Sequence, residues 1–267
     1  MFDVSQHIKE IESYGYTVIT QGLKTHSEIL SLVKKISLNE SYANKQLHSE
    51  RANDKLIYNL QNKDAAFIKL LSDSKLVQIF KHFLNDDFYQ VMDNSFPNYI
   101  LNYYNSRSSG NFLDLHIDSS VPSPGNFTWA MQAAFVLEDM NTQNGCTVVV
   151  PGSHLSGKYS DRDLKMRVPL EAKAGDIAIW DSRLWHGTME NTSGKSRWVL
   201  IATLTRWWVK QSMDMVRSLP QDVYEKLTDA EKLLIGFCSI PPRDESGSIH
   251  TKKDYKSLKP LVSDYLF

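Results

Sequence analysis

The chain has 267 residues, 42% of them hydrophobic and 23% charged, which supports a globular fold with a substantial core. Thirty basic residues against 31 acidic ones leave a net charge of −1, so no field of one sign is available to grip phosphate backbones or acidic lipid, and neither nucleic acid nor a membrane is an expected partner. Cys146 and Cys238 are too few for a disulfide framework, the start lacks the basic-then-apolar pattern of a signal peptide, and no apolar run is long enough to span a bilayer; the expected location is the cytoplasm.

In chain order, Val4, Ile8 and Ile11 recur at helical spacing and Gly15 closes that helix ahead of the strand-like YTVIT. Thr25 and Glu28 form a capping-box pattern before ILSLVKKISL, where Ile29, Val33 and Ile36 share a face. Residues 39–63 are polar and weakly periodic and read as a surface loop, with a lid over a site as the alternative. A helical pair follows in DAAFIKLLSDSKLVQIFKHFLND.

From residue 87 the pattern changes to short β-branched and aromatic runs separated by Gly, Pro, Asn and Ser. FYQVMDNSFPNYILNYYNS, TWAMQAAFVLED, GCTVVVPGS, GDIAIWDS and RWVLIATLTRWW together predict an antiparallel sandwich or barrel. Beyond residue 211 helices return, TDAEKLLIGF opening on a second capping box, Thr228 and Glu231, with the loop PPRDESGS after it. The expected organisation is a single domain, mainly β with flanking helices: a helical part over 1–86, a β core over 87–210 and a helical extension over 211–267.

LHIDSS holds the first chemical signal. Side chains two apart on a strand face the same way, so His116 and Asp118 can converge on one point. His186 in WDSRLWHGT is the best third ligand. Two imidazoles and one carboxylate on one face of a metal leave positions open, the arrangement used by non-haem Fe(II) oxygenases. Arg197 follows after the turn-rich GTMENTSGKS; a hairpin there would set it beside the strand of His186 as a bidentate carboxylate anchor. The plain alternatives are a surface strand with His116 bonded to Asp118, and Arg197 as a solvated strand arginine.

These residues resemble the phytanoyl-CoA dioxygenase family of Fe(II)/2-oxoglutarate oxygenases. The likeness runs from about residue 99 to 205 through LHID, VLEDMNTQNGCTVVVPGSH and KAGDIAIWDSRLWHGTMENTSGKSR, and IESYGYTVI resembles the family's opening. The resemblance implies a double-stranded β-helix, a cupin-like jelly roll with Fe(II) at its mouth, 2-oxoglutarate as co-substrate and O₂ as oxidant. It implies that His116, Asp118 and His186 ligate the metal and that Arg197 binds the distal carboxylate of 2-oxoglutarate, helped by Thr188. Gln132 keeps the family's inward polar position, Ala134 departs from its inward tryptophan, and Asn102 is a further co-substrate contact.

Trp129 and Arg183 are the expected substrate contacts, His154 is read as bonded to loop backbone, and the remaining tryptophans as core or rim. Asp118 also disfavours halogenation, since halogenating relatives carry a small residue there. The expected reaction is hydroxylation of an unactivated C–H bond in a small polar metabolite or natural-product intermediate, with release of succinate and CO₂; desaturation, ring closure and epimerisation start from the same hydrogen abstraction. Residues 39–63 and the C-terminal helices are expected to roof the site. Competing readings are a zinc hydrolase on a similar barrel and a non-catalytic jelly-roll module; the oligomeric state is not encoded legibly.

Overall fold

Asp3 accepts hydrogen bonds from the amides of Ser5 and Gln6 and so caps helix α1 (Val4–Tyr14), which Gly15 ends in the left-handed conformation (φ 85°) with its N–H on the carbonyl of Ile11. The chain then turns directly into β1 (Tyr16–Ile19). The structure is a computed structural model describing residues 2–39, 55–86, 96–109, 112–119, 121–160, 166–240 and 245–246. Part of the 39–63 segment and most of PPRDESGS therefore lie outside the described residues.

Helix α2 (His26–Asn39) follows, then β2 (Leu56–Tyr58), α3 (Ala65–Leu71) and α4 (Ser74–Leu84). The strands of the core are β3 (Tyr99–Arg107), β4 (Leu113–His116), β5 (Ala130–Val136), β6 (Thr147–Val149), β7 (Val168–Leu170), β8 (Ile177–Asp181), β9 (His186–Thr188) and β10 (Val199–Arg206). Three short helices, α5 (Met215–Ser218), α6 (Gln221–Tyr224) and α7 (Asp229–Ile235), complete the described chain, and α7 carries the expected capping box between Thr228 and Glu231.

Two antiparallel sheets face each other. One has the order β1-β8-β5-β10-β3-β2 and the other β4-β9-β6-β7. This is the jelly-roll architecture expected from the sequence. The helical first part is not separate from it, because β1 and β2 form the two edges of the larger sheet.

Alternation along the strands splits the larger sheet into two faces. On β10, Leu200, Ala202 and Leu204 join Phe135, Ile179, Phe80, Phe67 and Leu234 in a core between the sheet and the helices. Burying each large side chain there contributes roughly 2 kcal/mol. Ala134, Val136, Ala178, Trp180 and Val199 point the other way, into the interior between the sheets. Helices α5 and α7 thus pack on the outer face, with Met215, Leu234 and Ile235 in the same core as Tyr99 and Leu101, and do not roof the interior as expected. From this region it is Val209, Lys210 and Ser212, between β10 and α5, that reach the open end.

One irregularity on β3 matters for the site. Thr203 pairs with Tyr103 but Leu204 pairs with Leu101, so Asn102 is an extra residue opposite β10. The bulge lets two consecutive side chains, Asn102 and Tyr103, border the interior. It also anchors the segment after β10: the amide of Ser212 donates to Asn102 Oδ1 at 2.9 Å, and Gln211 Nε2 donates to the carbonyl of Leu101 at 2.7 Å.

Candidate metal centre

A cavity of about 610 Å³ opens between the sheets, and His116, Asp118 and His186 all line it. Strands β4 and β9 pair antiparallel with His116 opposite His186, which brings the imidazole centroids to 4.4 Å. Gly187 permits this approach: a Cβ there would stand 2.5 Å from the carbonyl oxygen of Leu113 on β4. Asp118 arrives differently from the sequence expectation. Strand β4 ends at His116, and Asp118 lies in the following turn, where the amide of Ser119 donates to the carbonyl of Ser182 at 3.0 Å. Convergence is therefore produced by a turn tied to the loop before β9, not by strand alternation alone.

One ligand atom from each of the three residues lies within 4.8 Å of the others. His116 Nε2 is 3.5 Å from Asp118 Oδ1, and His186 Nε2 is 3.2 Å from Asp118 Oδ2. Each imidazole is oriented from behind, His116 Nδ1 by the carbonyl of Asp114 and His186 Nδ1 by the carbonyl of Leu184, both at 2.9 Å. A carbonyl only accepts, so each Nδ1 carries the proton and each Nε2 is left facing the other ligands, the arrangement that suits a metal-binding histidine.

The electrostatics favour a cation. Burial opposes charge on the Asp118 carboxyl, but the pull of His186 and the close contacts with both imidazoles outweigh it and hold the group well below the usual carboxylate range. On His116 burial opposes protonation, while the bonds to Asp118 and the Asp114 carbonyl prevail and raise its affinity for a proton; Arg107 works against them. Two neutral nitrogens and one anionic oxygen, aimed at one point, fit a borderline divalent ion such as Fe(II), and no thiolate is in the set.

Of the other expected site residues, Thr188, Gln132, Asn102 and Trp129 all line the cavity. Gln132 Oε1 accepts from the Thr203 hydroxyl at 2.7 Å, which fixes the amide orientation. Ala134 faces the interior next to Ala178, and the aromatic wall is supplied by Trp180, whose ring lies 5.4 Å from that of His186. His154 bonds to the carbonyl of Glu12 on α1 and stays out of the site.

Two expectations need correction. Arg183 was expected at the substrate but does not line the cavity, and its guanidinium is engaged elsewhere: Nε and Nη2 grip Asp181 at 2.9 and 2.7 Å, and Nη1 donates to the carbonyls of Ser123 and Gly125. It pins the chain that follows Asp118 onto the end of β8. Nor does Arg197 lie on a hairpin with the strand of His186. Strand β9 belongs to the four-stranded sheet and β10 to the six-stranded one, so the connection crosses between sheets. Arg197 is buried, 4% exposed, two residues before β10, with Nη1 3.0 Å from Met140 Sδ and its amide on the carbonyl of Ser108; it is not among the residues that line the cavity.

Sequence reasoning overlooked Arg107, Tyr103, Asn105, Trp180 and Lys210 as lining residues. Only alternation along β3 and β8, once the pairing is known, would have found those on the strands.

Comparison with known proteins places this geometry in context. A dioxygenase, af480, of Aspergillus fumigatus is 29% identical over 195 residues, spanning 71% of this chain and 60% of its own length. Among solved structures, AviO1 from Streptomyces viridochromogenes superposes with a TM-score of 0.61 at 20% identity, covering 77% of this chain and 96% of its own. The epimerase SnoN, solved with Fe³⁺, alpha-ketoglutarate and nogalamycin RO, gives 0.63 at 16% identity over 82% of this chain and 90% of its own. The family model for phytanoyl-CoA dioxygenase matches residues 11–199, and the chain belongs to the phytanoyl-CoA dioxygenase family.

Proposed function

We propose that the protein is an Fe(II)/2-oxoglutarate-dependent oxygenase that hydroxylates a C–H bond of a small metabolite. The observation that carries the reading is the convergence of His116, Asp118 and His186 within 4.8 Å, with both Nδ1 atoms occupied by carbonyls. Those three residues would hold the metal. With 2-oxoglutarate and O₂, iron supplies an oxidant strong enough to take hydrogen from an unactivated C–H bond, and succinate and CO₂ are released.

The protein's own residues bind, orient and exclude. Arg197 is assigned the distal carboxylate of 2-oxoglutarate: a buried guanidinium meets a carboxylate bidentately, and the Met140 thioether now beside it is a weak acceptor that a carboxylate displaces. Thr188, opposite Leu113 and Thr147, offers a hydroxyl at the same end of β9. Trp180 on β8, beside the His186 ring, and Ile201 on β10 give the cavity an apolar wall, and Trp129 of the lining is assigned to contact the substrate. A volume of about 610 Å³ suits a metabolite-sized ligand.

The test is anaerobic addition of Fe(II) and then 2-oxoglutarate, followed by visible absorption. One equivalent of iron and a charge-transfer band that requires 2-oxoglutarate are expected. Asp118→Ala should lose both, and stoichiometric zinc with no response to 2-oxoglutarate would refute the reading.

A further inference from the structure

Arg107 is the last residue of β3, opposite Val199 of β10 and Leu56 of β2. Val199 faces the interior, and Arg107 lines the same cavity as His116, Asp118 and His186. Among the described residues no carboxylate, carbonyl or ring partners Arg107. Contrast the other arginines of the interior: Arg183 grips Asp181, and Arg206 donates to the carbonyls of Thr128 and Phe83. Those two act as structural clamps, whereas Arg107 lines the cavity.

The charge balance of the lining points the same way. Among the described residues Asp118 is its one carboxylate, against Arg107 and Lys210. A divalent ion, Asp118, the dianion 2-oxoglutarate and the Arg197 cation assigned to it sum to zero, so neither lining cation is matched by them. Both Arg107 and Lys210 are left to meet an anion. Neutral hydrogen-bonding side chains, Asn105 and Tyr103 on β3 and Thr203 on β10, line the same cavity. A planar fork with polar neighbours binds a carboxylate or another oxyanion bidentately, and a partly enclosed site strengthens that bond.

We infer that Arg107 is an anion anchor of this cavity, taking an oxyanion, a carboxylate by chemistry of choice, on a bound small molecule. The inference rests on the oxygenase reading for the identity of that molecule, but not for the anion preference itself. Two molecules can supply the carboxylate: an acidic substrate, or 2-oxoglutarate held by Arg107 in addition to Arg197.

The test has two arms, each run on wild type, Arg107→Gln and Arg107→Lys, with thermal melting to confirm folding. In the first, 2-oxoglutarate is titrated anaerobically into the Fe(II) protein and its affinity read from the charge-transfer band. In the second, fragment-sized molecules in matched pairs, carboxylate and primary amide, are screened by quenching of tryptophan fluorescence, to which Trp129 and Trp180 of the lining contribute. The second arm is read without iron as well as with it.

A charge-assisted bond of this kind is worth about tenfold or more in affinity. Loss of about tenfold in Arg107→Gln, partly restored in Arg107→Lys, supports the inference, and the arm in which it appears names the source. If the substrate arm carries it, wild type prefers acids over their amides and Arg107→Gln does not. Unchanged 2-oxoglutarate affinity together with no acid preference in wild type, including a panel in which neither form binds, overturns the anchor. Absence of the charge-transfer band in wild type would sink the oxygenase reading alone, since the metal-free fluorescence arm still decides the anion preference.

Discussion

Breaking the Arg183–Asp181 pair should unfold the end of β8 at a cost that the contacts allow to be worked out. Both side chains are buried, 3% and 1% exposed, and meet through two charge-assisted bonds of 2.9 and 2.7 Å. The Thr128 hydroxyl donates to Asp181 Oδ2 at 2.7 Å, and Arg183 Nη1 satisfies the carbonyl of Gly125 at 2.8 Å. Arg183→Met removes the cation, fills much of its volume, and leaves Asp181 charged and enclosed with one hydroxyl and a backbone amide. Removing one partner of such a pair costs about 3–5 kcal/mol, mainly from the stranded charge. For a chain of this size that corresponds to a fall in Tm on the order of 10 °C.

Denaturant unfolding followed by circular dichroism measures the loss. The double variant Asp181→Leu/Arg183→Met should recover part of it, because no charge is then left buried. Fe(II) affinity should fall in the single variant, since the clamp holds the turn that carries Asp118. A single variant within about 1 kcal/mol of wild type, or a double variant worse than the sum of the singles, would refute the reasoning.

Gly187→Ala should destabilise by about 2 kcal/mol or more and weaken Fe(II) binding, because its Cβ would press on the Leu113 carbonyl at 2.5 Å and part β4 from β9; equilibrium unfolding and metal titration check both. Burial of Glu138 opposes its charge, but Lys34 at 2.8 Å, the Trp198 amide and the Ser196 hydroxyl outweigh that and lower its pKa. Its contribution is therefore present above the ordinary carboxylate range and lost as pH falls through the lowered value; wild type should lose about 1 kcal/mol more stability than Glu138→Gln on acidification below about pH 4.5, discounted for partial exposure. Thr228→Ala removes a capping box in which Glu231 also bonds back to the Thr228 amide, and should cost about 1 kcal/mol in unfolding free energy without changing metal affinity.

The candidate metal ligands were legible because their spacing is local and chemical. His116 and Asp118 are two residues apart, and His186 sits where a strand hands over to a turn. Helix α1 was legible for the same reason, a periodic face closed by Gly15. What local spacing could not carry was the long-range pairing. The 188–198 segment is turn chemistry whether it closes a hairpin or crosses between sheets, and only the facing sheet decides where Arg197 arrives. The bulge at Asn102 depends on β10 and leaves no mark in ILNYYNS. Arg183 and Arg107 look alike in sequence; a carboxylate two residues before Arg183 turned one into a clamp, while the cavity claimed the other. The C-terminal helices have apolar faces that fit a lid or an outer layer equally well, and Tyr99 and Leu101 on the back of β3 settled the matter.

The placement of β1 at the rim of the larger sheet has a bearing on how the chain reaches its native state. Tyr16 to Ile19 hydrogen-bond along Ile177 to Trp180, so the ribbon made earlier waits for one made far later. Until then each presents an open backbone edge, and the later one, Ile177–Asp181, is wholly buried when finished. A gene fragment beginning after α1 and β1 would keep every group of the metal centre yet expose that apolar edge permanently, and self-association in place of a working barrel is its expected fate.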